Sequence, residues 1–366
     1  MDSRNLFSKG FPTNRIPVDL PSSGQPLVLR ETTIVELKSM AKTIIDNFDR
    51  RQMNVIYDAV TEYLQKMILT DNVDVNEITE FDRLFCLMVF FQISFFKDAT
   101  TFRCPHCGVD IVYRYDMSKY LAGMKKAYID EQVVKIDYKS KVYEFTMGWP
   151  KVKDMSKLYH YFYEEIGEVT EDMEKTQFGI TYVMTFVRKV RVFNILSESD
   201  TPEAEIDLWN VDSFKERMEC LNSLPSMVMF DEQSGVFASI TGYFINRLEN
   251  CFKAEICPQC HNETDYGIPY SSVFYSLFYG SIKSLYGYIL QVECLLLFRY
   301  DSVVFDKEQY LTYNDLNSLM KQLSTTVEKD NKERQKVGRD HLYKGLWYIR
   351  EILNHMIFPE DKKHGY

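Results

Sequence analysis

Apolar residues recur at helical spacing through much of the first hundred positions of the chain. Ile34, Leu37, Ala41, Ile44, Ile45 and Phe48 form one such stripe. Residues three and four apart share a helix face, so the spacing predicts an amphipathic helix. Thr33 marks its start, with Glu36 three residues on as the partner of a capping box. A second stripe, Val55, Ile56, Val60, Tyr63, Leu64 and Met67, predicts a helix over about 53–69. Thr79-Glu80-Phe81-Asp82-Arg83-Leu84 opens a third that runs to about Phe96. Its first turn carries Glu80 and Asp82, where the positive end of the helix dipole favours carboxylates.

The period then shortens. Asp110-Ile111-Val112-Tyr113-Arg114-Tyr115 alternates as a strand does, and Val134, Ile136, Tyr138, Val142, Tyr143 and Phe145 predict a hairpin ending at Gly148-Trp149-Pro150. Helical spacing returns near 154–165, 172–197 and 208–222 and over Gly235 to Asn250. On the long helix near 172–197, the cluster Arg188-Lys189-Val190-Arg191 reads as a solvated face. Thr264 to Pro269 reads as a short strand and turn, followed by helices near 271–298 and 313–357. Within the last of these, Val327 to Lys344 is dense in alternating charge, the pattern of a solvated helix. Residues 1–29 contain Pro12, Pro17, Pro21 and Pro26 and the turn Pro21-Ser22-Ser23-Gly24, which together predict an extended arm with a tight turn. The expected fold class is therefore mainly α with small β elements. Four segments follow: the arm (1–29), N-terminal helices and a first cysteine turn (30–130), a middle region of hairpin and helices (131–234), and a second cysteine turn with C-terminal helices (235–366).

Composition narrows the class. A net charge of −10 argues against nucleic-acid binding, which needs a basic face. The 25 Phe, 25 Tyr and 16 Met fill a core, and residues of these types also make adaptable contact surfaces. The start Met1-Asp2-Ser3-Arg4 lacks the apolar segment of a signal peptide. The longest apolar runs, Leu84 to Phe96 and Tyr286 to Phe298, are broken by Gln92, Gln291 and Glu293. They fall short of the roughly 18 residues that suggest a bilayer span. The expectation is a cytosolic protein without membrane contact, in which eight cysteines do not imply a disulfide framework.

Cysteine is where the chemistry lies. Cys104-Pro105-His106-Cys107-Gly108 and Cys257-Pro258-Gln259-Cys260-His261 are two similar turns about 150 residues apart. Each has the shape of half a zinc ribbon, with two thiolates and a proline that pre-sets φ. Because tetrahedral Zn²⁺ takes four ligands, Cys104, Cys107, Cys257 and Cys260 together make one closed structural site for Zn²⁺. His261 stands where the first turn has Gly108, a position that often needs positive φ. His106 and His261 are alternative ligands by residue type, although lone histidines beside cysteines are more often exposed bystanders. Two other readings compete: a thiol–disulfide exchange site at Cys-Pro-His-Cys, which needs the first cysteine at a helix N-terminus, and four separate buried thiols. Cys86, Cys220, Cys251 and Cys294 fall on expected helix faces as small core residues. No Gly-x-Ser-x-Gly elbow, glycine-rich phosphate loop or His-Glu-x-x-His occurs, and Glu164-Glu165 reads as a solvated pair. A site closed by four cysteines leaves no position for water, so the expectation is a protein that is not an enzyme.

The order of motifs carries one further reading. Val18-Asp19-Leu20-Pro21-Ser22-Ser23-Gly24, then Leu29-Arg30 before a Glu-containing helix, then Thr79 to Leu84, then Cys104-Pro105-His106-Cys107, resembles the baseplate hub assembly proteins of T4-like tailed bacteriophages. The tail is similar too, with the aromatic stretch Val273 to Tyr279 after the second cysteine turn. Phe91-Gln92-Ile93-Ser94 departs from the family, which usually carries Arg there, and the middle region matches nothing in it. The resemblance implies a non-enzymatic factor in tail morphogenesis, a chaperone or minor structural component of the hub. Its partners would be baseplate hub and tail proteins, its place the host cytoplasm or the virion baseplate. The alternative reading is a zinc-ribbon regulator that contacts nucleic acid or polymerase.

Overall fold

The computed structural model describes residues 15–251, except 49, 95–98, 105, 115–116, 167–169, 171–172, 174–176, 196–200 and 212, together with 256–262, 286–287 and 289–290. From residue 15 on, the proline-rich start pairs with itself around the expected Pro21–Gly24 turn. Strands β1 (Arg15–Asp19) and β2 (Pro26–Arg30) pair antiparallel, with Arg15 opposite Arg30. Their turn closes through Gly24, whose φ of 65° suits a residue without Cβ, and whose amide donates to Leu20 O at 2.8 Å. Val18, Leu27 and Leu29 are buried, so the hairpin is part of the core.

Three helices follow. Helix α1 (Ile34–Phe48) starts on the expected capping box: Thr33 N donates to Glu36 Oε2 at 3.0 Å and Glu36 N to Thr33 Oγ1 at 3.3 Å. Arg30 locks the same carboxylate in bidentate fashion, at 2.8 and 2.6 Å. Helix α2 (Met53–Met67) packs against α1. Helix α3 (Glu80–Ser94) is buried along both polar and apolar positions, from Phe81 through Phe90. Its charges are satisfied internally, as burial demands. Arg83 Nη1 donates to Glu80 Oε1 at 3.0 Å, Tyr57 Oη donates to Glu80 Oε2 at 2.5 Å, and Asp82 accepts from Thr79 Oγ1 and from the amide and hydroxyl of Ser22.

Strands β3 (Ala99–Arg103) and β4 (Asp110–Arg114) form a second hairpin, followed by α4 (Met117–Ala127). The largest sheet is antiparallel, in the order β5 (Gln132–Tyr138), β6 (Lys141–Met147), β7 (Val187–Asn194), β8 (Ala204–Asp207). Its register sets Lys135, Glu144, Arg191 and Glu205 side by side, so charges alternate across all four strands on one face. The opposite face buries Ile136, Tyr143, Phe145 and Val190. Between β6 and β7 lie α5 (Val152–His160), which runs on into a π-helical turn (Tyr161–Glu165), and α6 (Gly179–Met184). Helices α7 (Phe214–Asn222), α8 (Ser226–Phe230), α9 (Val236–Ile240), a second π-helical turn (Thr241–Ile245) and α10 (Asn246–Asn250) complete the described order. Trp149 is the junction of these layers. Its ring centroid lies 5.0 Å from Phe81 of α3, 4.9 Å from Phe186 before β7 and 6.1 Å from Phe244 before α10.

The expectation of a mainly α protein with small β elements is therefore corrected. The fold is mixed α and β, with eight strands in antiparallel sheets among the described residues. The principal source of the error is the helix expected near 172–197. It ends at Met184, and Arg188-Lys189-Val190-Arg191 lies on strand β7 and not on a helix face. A register shift explains why. Thr146 pairs with Lys189 but Met147 pairs with Val187, so Arg188 is the extra residue of a bulge. The bulge lets Val187 and Val190 both face inward, three residues apart, which imitates helical spacing. The elements expected over 264–269 and 313–357, most of that near 271–298, and residues 1–14 of the arm lie outside the described residues.

Candidate metal centre

The first cysteine turn is the loop of the β3–β4 hairpin, which closes on the pair Arg103 and Asp110. The second follows α10. That helix is anchored on α4: Arg247 Nε donates to Ala127 O at 3.4 Å, and Cys251 lies on Gly123, where a Cβ would come within 3.4 Å of the cysteine Cβ. Since α4 comes shortly after β4, both turns hang from neighbouring supports. Gly123 and Arg247 carry no signal in the sequence, because what matters is a contact across about 120 residues.

The two turns are near-copies. Cys104 N donates to Val109 O at 2.8 Å and Gly108 N to Cys104 O at 2.8 Å; Cys257 N donates to Asn262 O at 3.1 Å and His261 N to Cys257 O at 2.9 Å. The closing residues have positive φ in both, 72° at Gly108 and 54° at His261, as the sequence position suggested. The four sulfurs lie within 4.8 Å of one another, with Cys104 Sγ 3.8 Å from Cys260 Sγ and Cys107 Sγ 3.7 Å from Cys257 Sγ. Four thiolates about 2.3 Å from a central ion have tetrahedral edges of about 3.8 Å. The cluster therefore fits a metal ion, and it is the one group of metal-ligating side chains at such spacing among the described residues. Cys104 and Cys257 are buried, Cys107 exposed and Cys260 half-buried. His106 and His261 are exposed and stand outside the sulfur group.

The backbone prepares the sulfurs unequally. Burial pushes the Cys104 thiol up, but the amides of Cys107 and His106 and the neighbouring thiols outweigh it and bring it down to about 6. Cys257 is lowered in the same way by the amides of Cys260 and Gln259. The Val109 amide favours the Cys107 thiolate, yet burial and the three other sulfurs push that thiol up to about 12. The Asn262 amide does the same for Cys260, again outweighed, so that its thiol is raised. One thiol per turn is thus lowered and the other raised, and a bound cation would supply the charge that lets the raised one ionise.

The thiol–disulfide reading needs the first cysteine at a helix N-terminus. Cys104 instead ends the run after strand β3, in a hairpin loop. Elsewhere, Cys86 is fully buried, with its thiol pushed up by burial and by Asp82, and Cys220 and Cys251 are half-buried. Cys294 lies outside the described residues. Glu164 and Glu165 are exposed, but Glu164 is not simply solvated: its Oε1 accepts from Asn54 Nδ2 at 2.6 Å and lies 3.0 Å from His160 Nδ1. No helix among the described residues is long and apolar enough to cross a membrane. Comparison with protein-family models, with curated proteins and with solved structures finds no match to this chain.

Proposed function

We propose that this chain is a non-enzymatic assembly factor or minor structural component of a phage tail baseplate hub, held in shape by one structural Zn²⁺ on Cys104, Cys107, Cys257 and Cys260. The four-sulfur cluster carries the structural half of this reading. An all-thiolate tetrahedral set suits Zn²⁺ or iron, and with four protein ligands it leaves no open coordination position. The ion would cross-link the β3–β4 hairpin to the segment after α10, 150 residues away. Its chemistry is to hold four thiolates together.

The assembly half rests on the order of the motifs, two of which touch in the fold. The Pro21-Ser22-Ser23-Gly24 turn and the Thr79 to Leu84 element are bonded to each other through Ser22 and Asp82, whose carboxylate accepts from the Ser22 amide at 3.0 Å. Arg30 and Glu36, at the next element of the resemblance, form the bidentate lock on α1. Residues that carry the resemblance are thus ones that fix the N-terminal fold. A net charge of −10 disfavours phosphate contacts and leaves proteins as the natural partners.

Co-expression with baseplate hub and tail-tube proteins tests the assembly reading. A stable complex that survives purification is the expected outcome. Absence of association with every hub and tail-tube component would sink this part, whatever the metal content.

A further inference from the structure

Helices α2 and α5 meet at a histidine held between two carboxylates. His160, the last residue of α5, sets Nε2 2.7 Å from Asp58 Oδ2 and Nδ1 3.0 Å from Glu164 Oε1. A neutral imidazole has one N–H and one lone pair. In this arrangement a neutral ring would set its lone pair against a carboxylate oxygen, whereas an imidazolium donates to both. The geometry is that of the charged ring.

Each carboxylate also has a second donor. Ser156 Oγ donates to Asp58 Oδ1 at 2.8 Å, and Asn54 Nδ2 donates to Glu164 Oε1 at 2.6 Å. Loss of the ring proton therefore leaves neither carboxylate bare, and the ring is free to let one go. Glu164 sits on the π-helical turn Tyr161–Glu165, which is closed by Ile166 N donating to Tyr161 O at 3.2 Å. Such turns are uncommon insertions in a helix and concentrate at functional positions. This one carries Phe162 and Tyr163, whose rings pack on Phe178 at 5.2 and 6.0 Å.

We propose that His160 is a pH-operated clamp, which when protonated ties the π-helical turn to α2 through Asp58 and Glu164 together, and when neutral loosens that tie to the single bond from Asn54 of α2 to Glu164. Burial works against the charged ring, but the bonds to Glu164 and Asp58 outweigh it and hold its proton affinity above the ordinary 6.5. These two carboxylates are the charges that act on it. One turn away, Glu62 on α2 and Lys157 on α5 are exposed. Charges on other elements packed on α5 are engaged elsewhere: Glu77 with Lys151 and Lys153, Glu80 with Arg83, and Arg217 with the carbonyls of Thr185 and Val187. Because the folded-state pKa is raised, the clamp contributes fully below pH 6.5 and fades as pH rises through the folded value.

An NMR titration of the His160 ring nitrogens in the full chain, between about pH 5.5 and 8.5, tests this directly. The midpoint is expected above 6.5 and falls toward 6.5 in Asp58→Asn and in Glu164→Gln. In the unsubstituted chain, amide exchange at residues 161–166 steps up beyond its intrinsic pH dependence as the midpoint is crossed; in His160→Gln the step is gone. A midpoint at or below 6.5 in the unsubstituted chain overturns the proposal without any variant. So does a midpoint that neither substitution moves, or an exchange step that persists in His160→Gln.

Discussion

His261 and Gly108 occupy equivalent positions and pay unequal strain. Both have positive φ, which glycine adopts freely and a residue with Cβ does not. His261→Gly is therefore expected to raise stability by about 0.5–1 kcal/mol, and Gly108→Ala to lower it by about 1 kcal/mol. Denaturant midpoints of the two variants check both signs. A destabilised His261→Gly would mean that the imidazole makes a contact worth more than the strain. The shared turn was legible at this scale because every residue that shapes it is local: two cysteines, a proline and the closing residue. The clamp at His160 was not, since Asp58 lies 102 residues away and nothing in the sequence pairs them.

At the scale of elements, the start of α1 shows what local pattern supplies. Thr33 and Glu36 are three residues apart and their capping box forms as expected. What the pattern does not show is Arg30, brought onto Glu36 by the return of strand β2. Burial alone would raise the Glu36 carboxyl; Arg30 and the Thr33 amide outweigh it and hold it below the usual 4.5. A lowered acid contributes stability above its unfolded value and loses it as pH falls through the folded one. Glu36→Gln is expected to cost about 1 kcal/mol at neutral pH and to flatten the loss of stability below pH 4.5. Unchanged acid unfolding in this variant would remove Glu36 from the account of α1. Strand β7 is the opposite case. Its bulge at Arg188 places Val187 and Val190 on the same face, so periodicity reads helix where hydrogen bonding to β6 makes a strand. The period is a sound guide only while the ladder is regular.

At the scale of the molecule, two features tie distant parts of the chain. Trp149, 1% exposed, joins α3, the segment before β7 and the second π-helical turn through ring contacts. Trp149→Ala is expected to cost about 3–5 kcal/mol, because no single element can close the space that the ring leaves. A loss below about 1 kcal/mol would show that the layers hold without it. The second tie is the cysteine cluster. Its four residues were legible in the sequence as two half-sites, while their meeting depends on α10 resting on α4, through Gly123 and Arg247. Zinc X-ray absorption on the purified full-length chain tests the cluster most directly. The expected spectrum is one Zn²⁺ per chain with four sulfur neighbours at about 2.3 Å. A shell containing nitrogen or oxygen, or a chain that purifies folded with no stoichiometric metal, would contradict the site.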